Sequence, residues 1–177
     1  ELVRKHKYSF EIIAVNDSSI DGTWSVIQAY VHDHPEIIGI NQMANFGQSA
    51  AYQAGFDLAR GEYIITVSAD LETSLSNIIR VIELLDEGYD FVNTHRVSRW
   101  GSSNDTHKVK SSVANKLIRV ISGVNIKDRG SGMKGFNRIL VERLNLYGDM
   151  HRFIPDYVSL YGATMVEFDV EFKDREY

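Results

Sequence analysis

The sequence predicts an α/β fold with a mostly parallel central sheet and helices on both faces. Three observations predict it. Short β-branched apolar runs, too short for helices, recur through the first half of the chain. Segments of ten or so residues with helical apolar spacing separate them, which implies right-handed crossovers between parallel strands. The composition, 44% hydrophobic and 24% charged over 177 residues, is that of an ordinary globular chain of single-domain size.

The elements follow in order. Phe10 to Val15 (FEIIAV) reads as a buried strand that ends in the polar turn Asn16-Asp17-Ser18-Ser19. Asp21 can cap a helix over about Trp24 to His34, where Trp24, Ile27, Tyr30 and Val31 share one face, and Pro35 ends it. Ile37 to Ile40 is a second strand, followed by the loop Asn41 to Phe46 and a helix from Ser49 to Arg60 that closes on Gly61. Tyr63 to Val67 is a third strand. Ser74 can cap the helix from about Asn77 to Asp86, whose stripe is Ile78, Ile79, Ile82 and Leu85, and Phe91 to Thr94 resumes strand. Arg96 to Lys110 is polar and basic and reads as a long loop. Ser111 to Ser122 forms an amphipathic helix with Lys116 and Arg119 among its few cations, a pattern more typical of core packing than of a membrane surface. Beyond Gly123 the pattern loosens through a Gly-rich stretch, a helix from about Asn137 to Leu146, a short helix near Asp156 to Tyr161 and a last strand from Met165 to Phe172.

Composition excludes several classes of function. With 19 Lys and Arg against 24 Asp and Glu the net charge is −5, which argues against a nucleic-acid partner held by phosphate contacts. The absence of cysteine removes disulfides, thiolate metal sites and cysteine nucleophiles together. No apolar run approaches the length of a membrane-spanning helix, and Glu1 to Lys7 lacks the apolar core of a signal peptide, so the chain as given is expected to be soluble.

In a parallel α/β sheet ligands sit at the carboxyl ends of strands, which points to three loops: Asn16 to Asp21, Asn41 to Gly47 and Ser68 to Ser74. Asn16, Asp17, Asp70 and Glu72 would then converge on one rim. Clustered oxygens there suit a hard divalent cation, which could hold a diphosphate. Asp and Asn after strands also build turns and caps, so both readings stand on spacing alone.

The run VNDSSIDGT (Val15 to Thr23) resembles the VDDGSTDGT run of family 2 glycosyltransferases, and NFGQSAAYQAGFDLARGEYIITVSADLET continues that resemblance from Asn45 to Thr73. DRGSGMKGFNR, GDMHRFIPDYVSLYG and VEFDVEFKDREY are similar to the polyprenyl-phosphate and dolichyl-phosphate mannosyltransferase-like group within it. The resemblance covers almost the whole chain. It implies a GT-A-type nucleotide-diphospho-sugar transferase fold and an inverting, metal-dependent transfer of a hexose from a UDP or GDP sugar to a polyprenyl phosphate, with Mg2+ or Mn2+ as cofactor.

The same resemblance assigns residues. Asn16, Asp17, Asn45 and Ser68 fall at nucleotide-binding positions, with Asn16 where an Asp is usual, so that only hydrogen bonding survives there. The metal motif Asp-x-Asp reads Ser68-Ala69-Asp70, which leaves Asp70 as the main ligand and Glu72 as a replacement for the lost charge. Asp70, Asp128 and Lys134 are the catalytic candidates, Lys134 standing where relatives carry Arg, so that a fork becomes a point charge. The Gly-rich stretch around them also reads as a tight bend.

A polyprenyl phosphate is already anionic near neutral pH and needs cations more than a general base. Arg96, Arg99, Lys108, Lys110, His151 and Arg152 are the candidates, solvent exposure being the alternative for those in the loop. Transfer to a saccharide hydroxyl in surface polysaccharide synthesis would instead require a base such as Asp128 or Asp156. A third reading is a nucleotide-sugar-binding protein without activity. The resemblance further implies that the single catalytic domain over 1–177 is cut at both ends, that membrane association comes from segments absent from this chain, and that the protein works in the cytoplasm at the cytoplasmic face of a membrane.

Overall fold

The computed structural model describes residue 6 and residues 8–70, 73–97 and 124–171. Glu72, Arg99, Lys108, Lys110, the helix expected over 111–122 and both termini lie outside the described residues. In chain order the elements are β1 (Ile12–Asn16), α1 (Thr23–Asp33), β2 (Ile37–Asn41), α2 (Gln48–Leu58), β3 (Tyr63–Thr66), α3 (Asn77–Asp86), β4 (Phe91–Val97), β5 (Lys134–Asn137), α4 (Arg138–Val141), a 3-10 turn (Met150–Phe153), α5 (Ile154–Leu160) and β6 (Met165–Glu171). No helix among them is long and apolar enough to cross a membrane.

The α/β class holds, with a mixed sheet. β1 and β2 pair in parallel from Ile12↔Ile37 to Asn16↔Asn41. The remaining strands lie in the order β3-β5-β4-β6, in which β5 runs antiparallel to both neighbours and β4 runs parallel to β6. The Gly-rich stretch read as a bend therefore supplies a strand with a partner on each side. Gly135 explains why: a methyl there would fall far inside contact distance of Val81 Cγ1 and would meet Leu85 Cδ1 at 3.2 Å, so α3 can lie on the sheet only because this residue has no side chain.

Period-two alternation then sends side chains to two cores. Phe91 and Phe136 point to one face, where they pack with Phe56 of α2, Leu140 and Val141 of α4 and Ile154 and Val158 of α5. Val92 and Met133 point to the other, against Val81, Leu84 and Leu85 of α3. Each fully buried aromatic or aliphatic side chain contributes about 1.5–3 kcal/mol. α1 sits on β2 by the same device as α3, since a Cβ on Gly39 would lie 3.0 Å from Ile27 Cγ2.

Four expected details differ. The cap position of α1 is Gly22, without a side-chain cap bond, and not Asp21. β4 runs on to Val97, so Arg96 lies on the strand and not in the loop expected from that residue onward. Ser74 does not cap α3: the cap position is Ser76, without a side-chain cap bond, and Ser74 Oγ pairs with Ser76 Oγ at 2.8 Å. The helix expected to reach Leu146 stops at Val141, and Leu144 and Leu146 enter the core from irregular backbone.

Gly135→Ala should lower stability by about 1–3 kcal/mol through overpacking, read as a lower urea midpoint at unchanged m. An unchanged midpoint would mean that α3 can move off the strand.

Candidate active site

The first rim is set by polar residues at the ends of β1 and β2. Asn16 is 3% exposed; its Nδ2 donates to Asn41 Oδ1 at 2.7 Å and its Oδ1 accepts the Ser19 N–H at 3.3 Å. Both ends of the amide are thus engaged inside the protein. Asp17 accepts the Phe46 N–H on Oδ1 at 2.8 Å and the Gly47 N–H on Oδ2 at 2.9 Å, which fixes the loop leading into α2. Gly47 precedes α2 with φ +85°, a conformation that suits glycine. Asn45, in the same loop, is exposed.

The first two turns of α2 carry the next contacts. Ser49 Oγ lies 3.0 Å from His151 Nδ1 and accepts the His151 N–H at 3.0 Å, joining α2 to the 3-10 turn. One turn on, Tyr52 accepts from Gln48 at 3.0 Å. Burial raises the Tyr52 phenol above its ordinary value, against the opposing hydrogen bonds of Gln48 and Thr66, and the charge of Asp70 adds a smaller push upward. Asp70 is exposed, and Ser68, half-buried, lines a narrow cleft with Val67, Thr73, Gly132 and Met133. A side chain on Gly132 would overlap Ser68 Oγ. Among the described residues no three His, Asp or Glu side chains gather as metal ligands. Asp70 and Ser68 nevertheless offer hard oxygen donors of the kind a divalent cation takes when substrate phosphates complete its shell.

The second cluster lies across β4, β5 and β6. Arg96 grips Asp128 with Nε on Oδ2 at 2.7 Å and Nη2 on Oδ1 at 3.0 Å, and Asp128 also accepts the Gly130 N–H at 3.1 Å. Burial pushes the Asp128 carboxyl up, but the hydrogen bonds and charge of Arg96 outweigh it and hold the group below the usual carboxylate range. Such a group is a poor general base. Asp156, the other candidate, is gripped by Arg129 at 3.0 and 2.9 Å, and Arg129, 3% exposed, also donates to the Ile126 carbonyl at 2.9 Å. Arg152 is exposed on the 3-10 turn beside His151.

Three scaffolding residues are not singled out in the sequence, although Glu167 falls inside one of the resembling runs. Glu167 on β6 accepts from Asn93 Nδ2 at 2.8 Å and from the backbone N–H groups of Lys127 and Asp128 at 3.0 Å each. Asn93 also donates to the Asp128 carbonyl at 2.8 Å. Thr94 Oγ1 and Ser131 Oγ bond each other, and Thr94 donates to the Met133 carbonyl at 2.8 Å. These contacts depend on β4–β6 pairing, which places Asn93 opposite Glu167 and is invisible in linear order.

Lys134 is only 2% exposed, with its ammonium donating inward to the Ser131 carbonyl. It lies beneath the rim and not on it. Burial lowers its pKa to about 8, against the opposing pull of Asp128 and Glu167.

Comparison with known proteins accords with this geometry. Residues 1–144 match the family model for Glycosyl transferase family 2. Two curated proteins, each named undecaprenyl-phosphate 4-deoxy-4-formamido-L-arabinose transferase, are similar. The one from Aeromonas hydrophila subsp. hydrophila is 30% identical over 94% of this chain and 51% of its own length. The one from Photorhabdus laumondii subsp. laumondii is 32% identical over 95% and 51% respectively. The chain therefore spans about half the length of these relatives. Glucosyl-3-phosphoglycerate synthase from Mycobacterium tuberculosis, solved with Mn2+, UDP-glucose and phosphoglyceric acid, superposes with TM-score 0.67 at 15% identity over 93% of this chain and 60% of that one. A mannosyltransferase from Pyrobaculum calidifontis in complex with GDP-Man and Mn2+ gives 0.62 at 16% over 91% and 47%. These likenesses establish the GT-A-type fold.

The lowered Lys134 pKa has a definite sign. Between about pH 8 and the ordinary value of 10.5 the unfolded chain binds more protons than the native one, so stability rises with pH in that window. From pH 7 to pH 9 the protein should gain about 1 kcal/mol from this group. Lys134→Met should abolish that gain in urea titrations at the two pH values; an equal gain in the variant would assign it elsewhere.

Proposed function

The chain belongs to glycosyl transferase family 2, and on that premise we propose that it moves one sugar, with inversion, from a nucleotide diphosphate donor to a polyprenyl phosphate. The observation that carries this reading is the state of the two carboxylates that could serve as bases. Asp128 and Asp156 are each held by a two-pronged arginine, so neither is free to take a proton from a neutral hydroxyl. An acceptor that is already an anion needs no such base. The relatives named for undecaprenyl-phosphate transfer support the same acceptor. The competing transfer to a saccharide hydroxyl would need a base other than Asp128 or Asp156.

Within this reading Asp17 shapes the donor loop, Asn45 and Ser68 line the nucleotide side, and Arg96, His151 and Arg152 serve the phosphates, with Asp128 holding Arg96 in place. Lys134 adds positive potential from below. Asp70 and Ser68, with Glu72, would hold Mg2+ or Mn2+, which when bound supplies countercharge for the departing diphosphate. Structural neighbours bind a UDP sugar or a GDP sugar, so either base suits the fold. The sequence resemblance points to a hexose, while the curated relatives are named for an arabinose derivative, a five-carbon sugar; the donor panel must span both. A lipid acceptor places the work at the cytoplasmic face of a membrane.

Incubation with radiolabelled UDP and GDP sugars, undecaprenyl phosphate and Mn2+ should yield labelled lipid. Asp70→Asn should cut the rate by about 100-fold or more. Label appearing in a saccharide alone, or nucleotide binding without transfer, would overturn the proposal.

A further inference from the structure

Ser49 has no assigned role, yet it is fully buried and both of its hydrogen bonds go to one residue, His151. A hydroxyl carries one proton and two lone pairs. The His151 backbone N–H, with no other choice, donates to Oγ. Among the described residues Oγ has no other partner than His151, so its own proton has one acceptor in reach, the ring nitrogen Nδ1 at 3.0 Å. The opposite arrangement, Nδ1–H donating to Oγ, would give Oγ two donors and leave a fully buried hydroxyl proton with nothing to bond, which is unfavourable.

We infer that Ser49 is a positioning residue that locks His151 in its neutral Nε2–H tautomer, so that the ring presents a fixed uncharged N–H donor to a phosphate oxygen at the rim. This rests on the proposed function for the identity of the phosphate and on geometry for the tautomer. The ring is half-buried, and Nε2 has no partner among the described residues, so its N–H is available. Burial also lowers the His151 pKa, and the charges of Arg152 on the same turn and Lys134 on β5 lower it further, with Asp149 pulling the other way. Every contribution but one favours the uncharged ring. Fixing the tautomer through the far nitrogen is the usual way a histidine is aimed.

The phosphate oxygen could belong to the lipid acceptor or to the nucleotide diphosphate, since both offer the same chemistry. Long-range 1H–15N spectra of protein labelled with 15N-histidine decide the tautomer. At pH 7.5 the wild type should show His151 protonated on Nε2 alone. Ser49→Ala should give a mixture of tautomers and a higher His151 pKa, and Ser49→Thr, which keeps the hydroxyl, should restore the wild-type pattern. An Nδ1–H or doubly protonated ring in the wild type, or an unchanged tautomer in Ser49→Ala, would overturn the inference, and the wild-type spectrum is decisive even if a variant fails to fold. Adding undecaprenyl phosphate, or separately UDP and GDP, should move the Nε2 resonance with at least one of them. No movement with any would overturn the donor role, whereas the acceptor assignment stands or falls separately, on the lipid-transfer assay.

Discussion

The two sheets share no strand pairing among the described residues, so pairing between strands does not join β1 and β2 to the other four. α2 joins them. Its inner side spans both bodies: Gly55 faces Val15 of β1 at an ordinary contact distance, 3.7 Å from a would-be Cβ, and Phe56 meets Phe136 of β5 edge-on at 5.4 Å between ring centroids. Its N-terminal half then collects the rims. Asp17 holds the turn in front of it, Ser49 holds His151, and Gln48 donates to Tyr52 one turn along. A displacement of this helix would separate the nucleotide loops from the phosphate side together.

The second half of the site is organised by charge held out of water. A buried ion pair stabilises little by itself, but removing one partner costs several kcal/mol because the other charge is stranded. Arg129 with Asp156 and Arg96 with Asp128 therefore act as constraints on position more than as sources of stability. Glu167 belongs with them, since one carboxylate satisfies two backbone N–H groups and the Asn93 amide at the point where the chain enters β5. The consequence is chemical. Acids that in another arrangement could take protons here orient donors, and the rim they build is one of N–H groups suited to anions.

How much of this was legible in the sequence follows from which signals are local. β1, β2, β3 and the three long helices were readable because β-branched runs and helical apolar spacing act within a few residues. β5 was not, because Lys134 and Gly135 carry no strand propensity, and the reason for the glycine is the approach of Val81, more than 50 positions away. The overlong helix after β5 had a similar cause: Leu144 and Leu146 are spaced by two, and the Leu146 N–H bonds Gln53 Oε1 at 2.8 Å in place of a helical carbonyl. Motif runs located Asn16, Asp17, Ser68, Asp70, Asp128 and His151 at strand ends and turns. They did not reveal what each side chain holds, because the partners Asn41, Gly47, Arg96 and Ser49 come from other elements. Glu167 could be found only through the β4–β6 register.

The departures from the family pattern at Asn16 and Ser68 become intelligible as packing and pairing. Asn16 donates to the Asn41 side-chain oxygen in a nearly dry position; a carboxylate in its place would be met by the same Asn41 amide turned round to donate its Nδ2. The Ser68 side chain fills the space that a side chain at Gly132 would need, and both residues line the narrow cleft. Each change removes one negative charge from the rim that would face a diphosphate. On the proposed function, a cation at Asp70 would draw more of its ligands from the nucleotide itself, which would couple its affinity to the donor's presence. The same loss lowers the repulsion that an anionic acceptor meets on approach. On the proposed function, positive potential from Arg152 and the buried Lys134, set against fewer acids, would favour holding two phosphorylated substrates at once.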